Sequence, residues 1–154
     1  MHKKWTCCDW EKIIFSDESK FSLMGSDSGE TVWCKKEEKL SPSNIRKIKK
    51  FGGGSLMIWD CITPRGVGEI LRIDTNIDST QYCNILYDGF IKTCDKFNYN
   101  LTDVFLMQDN ATCHVSKKTK KWLSINNINA PIWPSNSPDL NIIENVWALL
   151  KRKI

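Results

Sequence analysis

The chain has 154 residues, of which 41% are hydrophobic and 26% are charged. This length fits one domain, and the composition excludes disordered and fibrous proteins. The net charge of +4 is too small to identify a nucleic-acid-binding protein by itself. No apolar run approaches the roughly 20 residues of a membrane-spanning helix, and the first residues lack the apolar stretch of a signal peptide. We therefore expect an intracellular protein that does not contact membranes.

The first half of the chain predicts consecutive strands. Lys12–Asp17 is an apolar run that ends in an acid, which predicts a buried strand with Asp17 at its C-terminal end. Residues 30–35 and 55–59 are rich in β-branched and aromatic side chains and predict two more strands, and 67–73 predicts a further one. Successive strands of this kind predict an antiparallel meander.

The pattern then changes to helix. Apolar residues recur every three or four positions between Tyr82 and Cys94, with Asp78 or Ser79 available as the N-cap. Residues 103–109 predict a strand that again ends in an acid, Asp109.

The last part of the chain predicts two helices separated by a very short strand. Residues 116–125 predict a basic helix, and 130–134 predict the strand. The C-terminal helix could be capped by Ser137 and start at Pro138, and one apolar face of it is marked by Leu140, Ile143, Trp147, Leu150 and Ile154. The fold class is thus α/β, a mixed sheet of antiparallel and parallel strands flanked by helices. We expect one domain over residues 1–154, and the basic, apolar last turn indicates that the natural protein continues beyond it.

Two predicted strands end in a carboxylate. Asp17 and Asp109 would emerge from the sheet into the crevice above it, where hard cations such as Mg²⁺ and Mn²⁺ find the oxygen ligands they prefer. Two carboxylates held close together repel unless a cation lies between them. The alternative for each aspartate alone is a strand-end turn or a helix cap.

Glu144 flanks the apolar stripe of the C-terminal helix, at about 80° from its middle. That position lets its carboxylate reach a crevice between helix and sheet. The alternative is a capping pair of Asn141 and Glu144 at the helix start. Cys113 and His114 do not predict a nucleophilic pair, because adjacent side chains point apart.

Three basic clusters could meet phosphates, or could be ordinary solvated faces. Their members are Arg46, Lys47, Lys49, Lys50, Lys117, Lys118, Lys120, Lys121, Lys151 and Arg152.

Four motifs, read together, resemble the Tc/mariner transposase family. They are WEKIIFSDESKF at 10–21, GGGSLMIW at 52–59, QDN at 108–110 and WPSNSPDLNIIENVW at 133–147. The gap between the second and third acids is 144 − 109 − 1 = 34 residues, the spacing associated with the Tc-like branch.

The resemblance implies an RNase H-like fold in which Asp17, Asp109 and Glu144 are the catalytic acids. It implies that they bind two Mg²⁺ or Mn²⁺ ions about 3.5–4 Å apart, with Glu18 and Asp139 nearby as supporting groups. The implied reaction is DNA strand cleavage and strand transfer in cut-and-paste transposition. Implied partners are transposon ends, target DNA and, in the full-length protein, a second copy of the chain, in the nucleus.

The chain departs from the family pattern at three positions. Ile142 and Thr112 replace prolines, and Asp60 replaces a glycine, which makes it either a buried unpaired charge or a bulge residue that faces solvent. The family's N-terminal helix-turn-helix modules are not in this sequence. The alternative function is therefore a decayed or domesticated fragment that keeps the fold and binds DNA weakly without catalysis. A sequence-reading DNA-binding protein fits poorly, because no recognition helix or zinc spacing is evident.

Overall fold

The computed structural model describes residues 5–22, 54–131 and 141–153. In chain order the elements are helix α1 (Cys7–Trp10), strands β1 (Ile13–Ser22), β2 (Ser55–Thr63), β3 (Gly66–Val67) and β4 (Leu71–Ile73), helix α2 (Ser79–Ile85), a π-helical segment (Leu86–Ile91), helix α3 (Lys92–Lys96), strand β5 (Phe105–Met107), and helices α4 (Lys117–Ile125) and α5 (Ile142–Lys153). The predicted strand at 30–35 lies outside the described residues. None of the helices in these ranges is both long enough and apolar enough to cross a membrane.

The strands form one mixed sheet. Its order is β3-β2-β1-β5, and β4 also pairs with β2. β1 and β2 are antiparallel, whereas β1 and β5 are parallel and are connected through the helices that follow β4. A parallel pair needs such a crossover, because two parallel strands cannot be joined by a tight turn. The predicted fold class, a mixed sheet flanked by helices, is confirmed.

β1 is longer than the strand that the apolar run at 12–17 predicted. It continues through polar residues to Ser22, because β2 pairs with it in unbroken register from Phe15 opposite Ile62 to Ser22 opposite Ser55. The prediction that Asp17 ends this strand was wrong. Asp17 lies in the middle of β1, directly opposite a residue of β2.

The helix between β4 and β5 covers one face of the sheet. Asp78 caps it as predicted, since its carboxylate accepts hydrogen bonds from the N–H groups of Thr80 and Gln81 at 2.8 and 2.7 Å. Within the π-helical segment, Gly89 lies against the fully buried Trp59, and a Cβ atom there would fall 2.1 Å from the indole ring. The glycine therefore sets how closely helix and sheet approach.

Helix α5 covers the other face. Ile143 and Trp147 are buried against Phe21, with Ile58 beside them. The helix begins at Ile142, whereas the cap and start predicted at 137–138 lie outside the described residues. Burying two large apolar side chains is worth roughly 3–6 kcal/mol, which anchors the helix beside β1.

The remaining predictions were partly right. The strand predicted over 67–73 is divided into β3 and β4. The short strand predicted at 130–134 is represented by a single bridge between Asn129 and Phe105, and 132–134 lies outside the described residues. The predicted basic helix is confirmed as α4, with Ser116 accepting a hydrogen bond from the N–H of Thr119 at 3.0 Å.

Candidate metal centre

Asp17 lies within β1, whereas Asp109 lies two residues beyond the end of the neighbouring parallel strand β5, so the prediction that this strand reaches Asp109 was wrong. Phe15 pairs with Met107, and each acid follows its strand partner by two residues. Side chains two positions apart in a strand point to the same face, so Asp17 lies on the face of Phe15, and the charge of Asp109 is close enough to raise the pKa of Asp17. The sequence could predict the acids but not this pairing.

Glu144 reaches the same region from α5. Together with Asp17 it lines a cavity of about 330 Å³, here called the acidic hollow, whose walls are Asp17, Glu18, Ser19, Glu144, Trp147, Ala148 and Lys151. Trp147 Nε1 donates a hydrogen bond of 3.1 Å to Asp17 Oδ2. The helix that carries Glu144 is therefore attached to Asp17 itself.

The charges of the acids act on one another. The pKa of Asp17 is raised to about 7, mainly by burial and also by the charges of Glu18, Glu144 and Asp109. The hydrogen bond from the backbone N–H of Glu18 opposes this rise. A divalent cation would relieve that repulsion, and all three proposed ligands offer the carboxylate oxygens that Mg²⁺ and Mn²⁺ prefer. The chemistry of the donor set thus fits such an ion.

Asp109 has a different environment. Its Oδ1 lies 2.6 Å from His114 Nδ1 and accepts the N–H of Ala111 at 2.9 Å. The hydrogen bond from His114 lowers the pKa of Asp109, and burial opposes that effect only in part. Asp109 therefore stays ionised more readily than Asp17 does.

His114 is buried between Asp109 and Glu18. Its ring stacks on Tyr82 with the centroids 4.0 Å apart, and Tyr82 in turn donates a 2.6 Å hydrogen bond to Gln108 Oε1. Burial alone would lower the pKa of His114, but the hydrogen bond to Asp109 and the carboxylate of Glu18 outweigh it and raise the pKa to about 10. The ring is thus a cation at neutral pH.

The three acids face a common region, but their carboxylate groups do not converge on a single ion position. Within the described residues, no three Asp, Glu, His or Cys side chains are grouped as a metal site. Asp109 and Glu144 are both exposed, so their side chains have room to turn. Asn141, the other member of the possible capping pair, accepts a 3.4 Å hydrogen bond from the N–H of Ile143, whereas Glu144 lines the acidic hollow.

Asp60 lies directly opposite Asp17 on β2. It is only 6% exposed and stands in unbroken register, so the prediction of a solvent-facing bulge was wrong. Its Oδ1 accepts a 2.6 Å hydrogen bond from the N–H of Cys61. Burial raises the pKa of Asp60 to about 6, although that hydrogen bond and the charge of Lys96 lower it.

The basic clusters are divided between different parts of the chain. On α4, the four lysines at 117, 118, 120 and 121 are exposed, and Lys118 Nζ donates a 2.5 Å hydrogen bond to Thr80. On α5, Arg152 is exposed, whereas Lys151 lines the acidic hollow with its Nζ 5.4 Å from the Phe21 ring centroid. The cluster at 46–50 lies outside the described residues.

Two residues beside the acids were missed by the sequence reasoning. His114 was considered only as the base of a nucleophilic pair, and Trp147 only as a core residue. The position of His114, five residues after Asp109 in a polar turn, was the available signal.

Comparison with known proteins identifies the family. The family of DDE superfamily endonucleases matches residues 12–154. The chain belongs to this family. It is 38% identical to the Tc3 transposase of Caenorhabditis elegans over 144 residues, which cover 94% of this chain and 42% of that protein. It is 37% identical to the Tc1 transposase of the same organism over 153 residues, 99% of this chain and 55% of that protein. The chain thus spans about half the length of these relatives.

Solved structures support the same assignment of fold. The catalytic domain of Mos1 mariner transposase matches with a TM-score of 0.68 at 13% identity, over 99% of this chain and 63% of that one. A pre-cleavage Mos1 transpososome matches with a TM-score of 0.70 at 14% identity, over 94% of this chain and 43% of that one. The resemblance to Tc/mariner transposases and the RNase H-like fold are confirmed, and the family is that of DDE superfamily endonucleases.

Proposed function

We propose that this chain is a metal-dependent catalytic core that cleaves DNA strands and transfers them in cut-and-paste transposition. Asp17, Asp109 and Glu144 would hold two Mg²⁺ or Mn²⁺ ions. When bound, such ions activate the attacking water or 3′-hydroxyl and stabilise the leaving oxygen. The observation that carries the proposal is the pairing of Phe15 with Met107, which Asp17 and Asp109 each follow by two residues, together with the hydrogen bond from Trp147 to Asp17. That hydrogen bond holds the helix that carries Glu144 beside Asp17.

Each acid has a distinct part in this proposal. Asp17 is fixed by the sheet and by the indole N–H, so it provides the rigid member of the set. Asp109 stays ionised because of His114 and offers a charged oxygen before any cation arrives. Glu144 is exposed in the first turn of α5 and is the acid with the most freedom to turn toward the other two.

DNA is the proposed substrate and partner. Matched Mos1 structures include a paired-end complex with a transposon end and crystals with Mn or Mg. For this chain we propose transposon ends and target DNA as partners, a homodimer for the full-length protein, and the nucleus as its location. The exposed lysines of α4 and Arg152 of α5 would contact phosphates, which gives affinity without reading sequence.

The alternative function is a fragment that keeps the fold without catalysis. The open arrangement of the three carboxylates, within the part of the chain that the structure describes, is the observation in its favour. The two functions differ in one measurable property, since only a catalytic core cuts DNA when a divalent ion is added.

A nicking assay separates them. Supercoiled DNA is incubated with Mn²⁺ and with wild-type protein, Asp17→Asn, Asp109→Asn or Glu144→Gln, and with Asp95→Asn as the matched control. Asp95 is an exposed acid of α3, away from the acidic hollow. We expect Mn²⁺-dependent nicking by wild type and Asp95→Asn and a loss of about 100-fold or more in the other three.

The fold is checked in the same samples. Saturating Mn²⁺ should stabilise the wild type, by about 2.7 kcal/mol when its concentration is about 100 times the Kd, because it binds only the folded state. A folded wild type that binds DNA but neither nicks it nor melts at a higher temperature with Mn²⁺ would establish the non-catalytic fragment.

A further inference from the structure

His114 is a buried ring between two carboxylates at the edge of the proposed metal centre. Its Nδ1 lies 2.6 Å from Asp109 Oδ1, whereas its Nε2 lies 3.6 Å from Glu18 Oε1. The second distance is too long for a hydrogen bond. The Nδ1 side of the ring therefore holds Asp109, because Nδ1 lies at hydrogen-bonding distance from Oδ1 and also 3.3 Å from the main-chain oxygen of Asp109.

The hydrogen bonds to Asp109 leave one of its oxygens open. His114 Nδ1 and the N–H of Ala111 both bind Oδ1. Among the residues that the structure describes, no hydrogen bond ends on Oδ2, and the side chain is 64% exposed. A carboxylate held by one oxygen presents the other in a fixed direction, which is how hydrogen-bond donors outside a metal's ligand set orient the ligands.

The ring itself is held from two sides. Its face packs on Tyr82 of α2 at 4.0 Å, and the Tyr82 hydroxyl donates a hydrogen bond to Gln108, the residue before Asp109. The orientation of the imidazole is therefore coupled to the segment that carries the acid. A ring held in this way has little rotational freedom to lose when it orients a neighbour.

We propose that His114 is a positioning residue: it fixes Oδ1 of Asp109 so that Oδ2 is presented to a divalent cation. This inference rests on the proposed function, since it assigns a partner to one of the proposed metal ligands. It does not assign His114 any contact with DNA or with the ion.

Two variants of the same residue test it. In His114→Asn the side-chain amide nitrogen can occupy the place of Nδ1 and keep the hydrogen bond to Asp109. In His114→Gln the longer side chain carries its nitrogen to the place of Nε2, toward Glu18. Both variants remove the ring that stacks on Tyr82 and the positive charge, so these two effects cancel when the variants are compared with each other.

The readout is the Kd for Mn²⁺ by titration calorimetry, without DNA. We expect His114→Asn to stay within about threefold of wild type and His114→Gln to bind about 10- to 100-fold more weakly. Equal Kd values for the two variants, or tighter binding by His114→Gln, would overturn the positioning role. A wild type that binds no Mn²⁺ would overturn the proposed function and this inference with it.

A second measurement uses only the wild type and decides the case if neither variant folds. The chain has two histidines, so His2 supplies a reference signal in ¹⁵N NMR of histidine-labelled protein. We expect the Nδ1–H signal of His114 to keep its hydrogen-bonded shift when Mg²⁺ saturates the protein. A shift to that of an unbonded ring nitrogen would show that Asp109 leaves His114 to bind the ion, and would overturn the proposal.

Discussion

Replacing Asp17 with asparagine is expected to stabilise the metal-free protein at neutral and higher pH. Burial, followed by the charges of Glu18, Glu144 and Asp109, raises the pKa of Asp17 to about 7. An amide in the same place has no charge to desolvate. Its oxygen can still accept the hydrogen bond that Trp147 Nε1 now donates to Asp17 at 3.1 Å.

The sign and size of the effect follow from proton binding. Folded Asp17 keeps its proton up to about pH 7, whereas the unfolded chain releases it near the ordinary value of 3.8. The unfolded state binds fewer protons between these values, so the free energy of unfolding falls as pH rises through that window and levels off above it. The gap between 3.8 and about 7 corresponds to about 4 kcal/mol, and partial contact with solvent reduces the expected gain for Asp17→Asn to about 2 kcal/mol above pH 7.

Urea unfolding of wild type and Asp17→Asn in the presence of a chelator, at acid and at alkaline pH, measures this gain. Asp109→Asn is the matched control, and we expect it to change the free energy of unfolding in the opposite direction. The pKa of Asp109 is lowered by the hydrogen bond from His114, so its contribution to stability is present above its unfolded pKa, and the amide variant loses it. Stabilisation by Asp17→Asn that does not grow between about pH 4 and pH 8, or the same sign for both variants, would refute the electrostatic reasoning.

Three further predictions concern packing, the indole contact and DNA. Gly89→Ala should destabilise the fold by about 1–3 kcal/mol in urea unfolding, because its Cβ would overlap the buried indole of β2, and an unchanged midpoint would contradict that packing. Trp147→Phe keeps an aromatic ring but removes the N–H that holds Asp17, so calorimetry should show weaker Mn²⁺ binding by about tenfold, and unchanged affinity would argue against an orienting role. Charge reversal at Lys117 and Lys118 should weaken binding to an inverted-repeat duplex and a scrambled duplex alike, and should flatten the salt dependence by about one unit for each phosphate that the protein no longer neutralises. Weaker binding confined to the repeat would contradict an interaction with phosphates alone.

Local patterns in the sequence were enough for the fold class and for the candidate acids. The spacing of apolar residues between Tyr82 and Cys94 predicts a helix, because one face of a helix must be buried, and Asp78 caps it as expected. The apolar runs before Asp17 and Asp109 predict two buried strands for a similar reason. The motifs around Asp17, Asp109 and Glu144 also identified the family, which the comparisons confirm.

Only the tertiary structure decided how these acids are held. β1 extends past Asp17 because β2 pairs with it, and Asp60 is buried because the same pairing leaves no bulge. Trp147 bonds to Asp17 across 130 positions of sequence, and the ring of His114, in the turn after Asp109, is supported by Tyr82 of α2. Hydrophobic periodicity reports which face of an element is buried but not which polar atoms meet across the buried interface. Those polar contacts depend on the packing of sheet and helices, which fixes their distances only after the chain has folded.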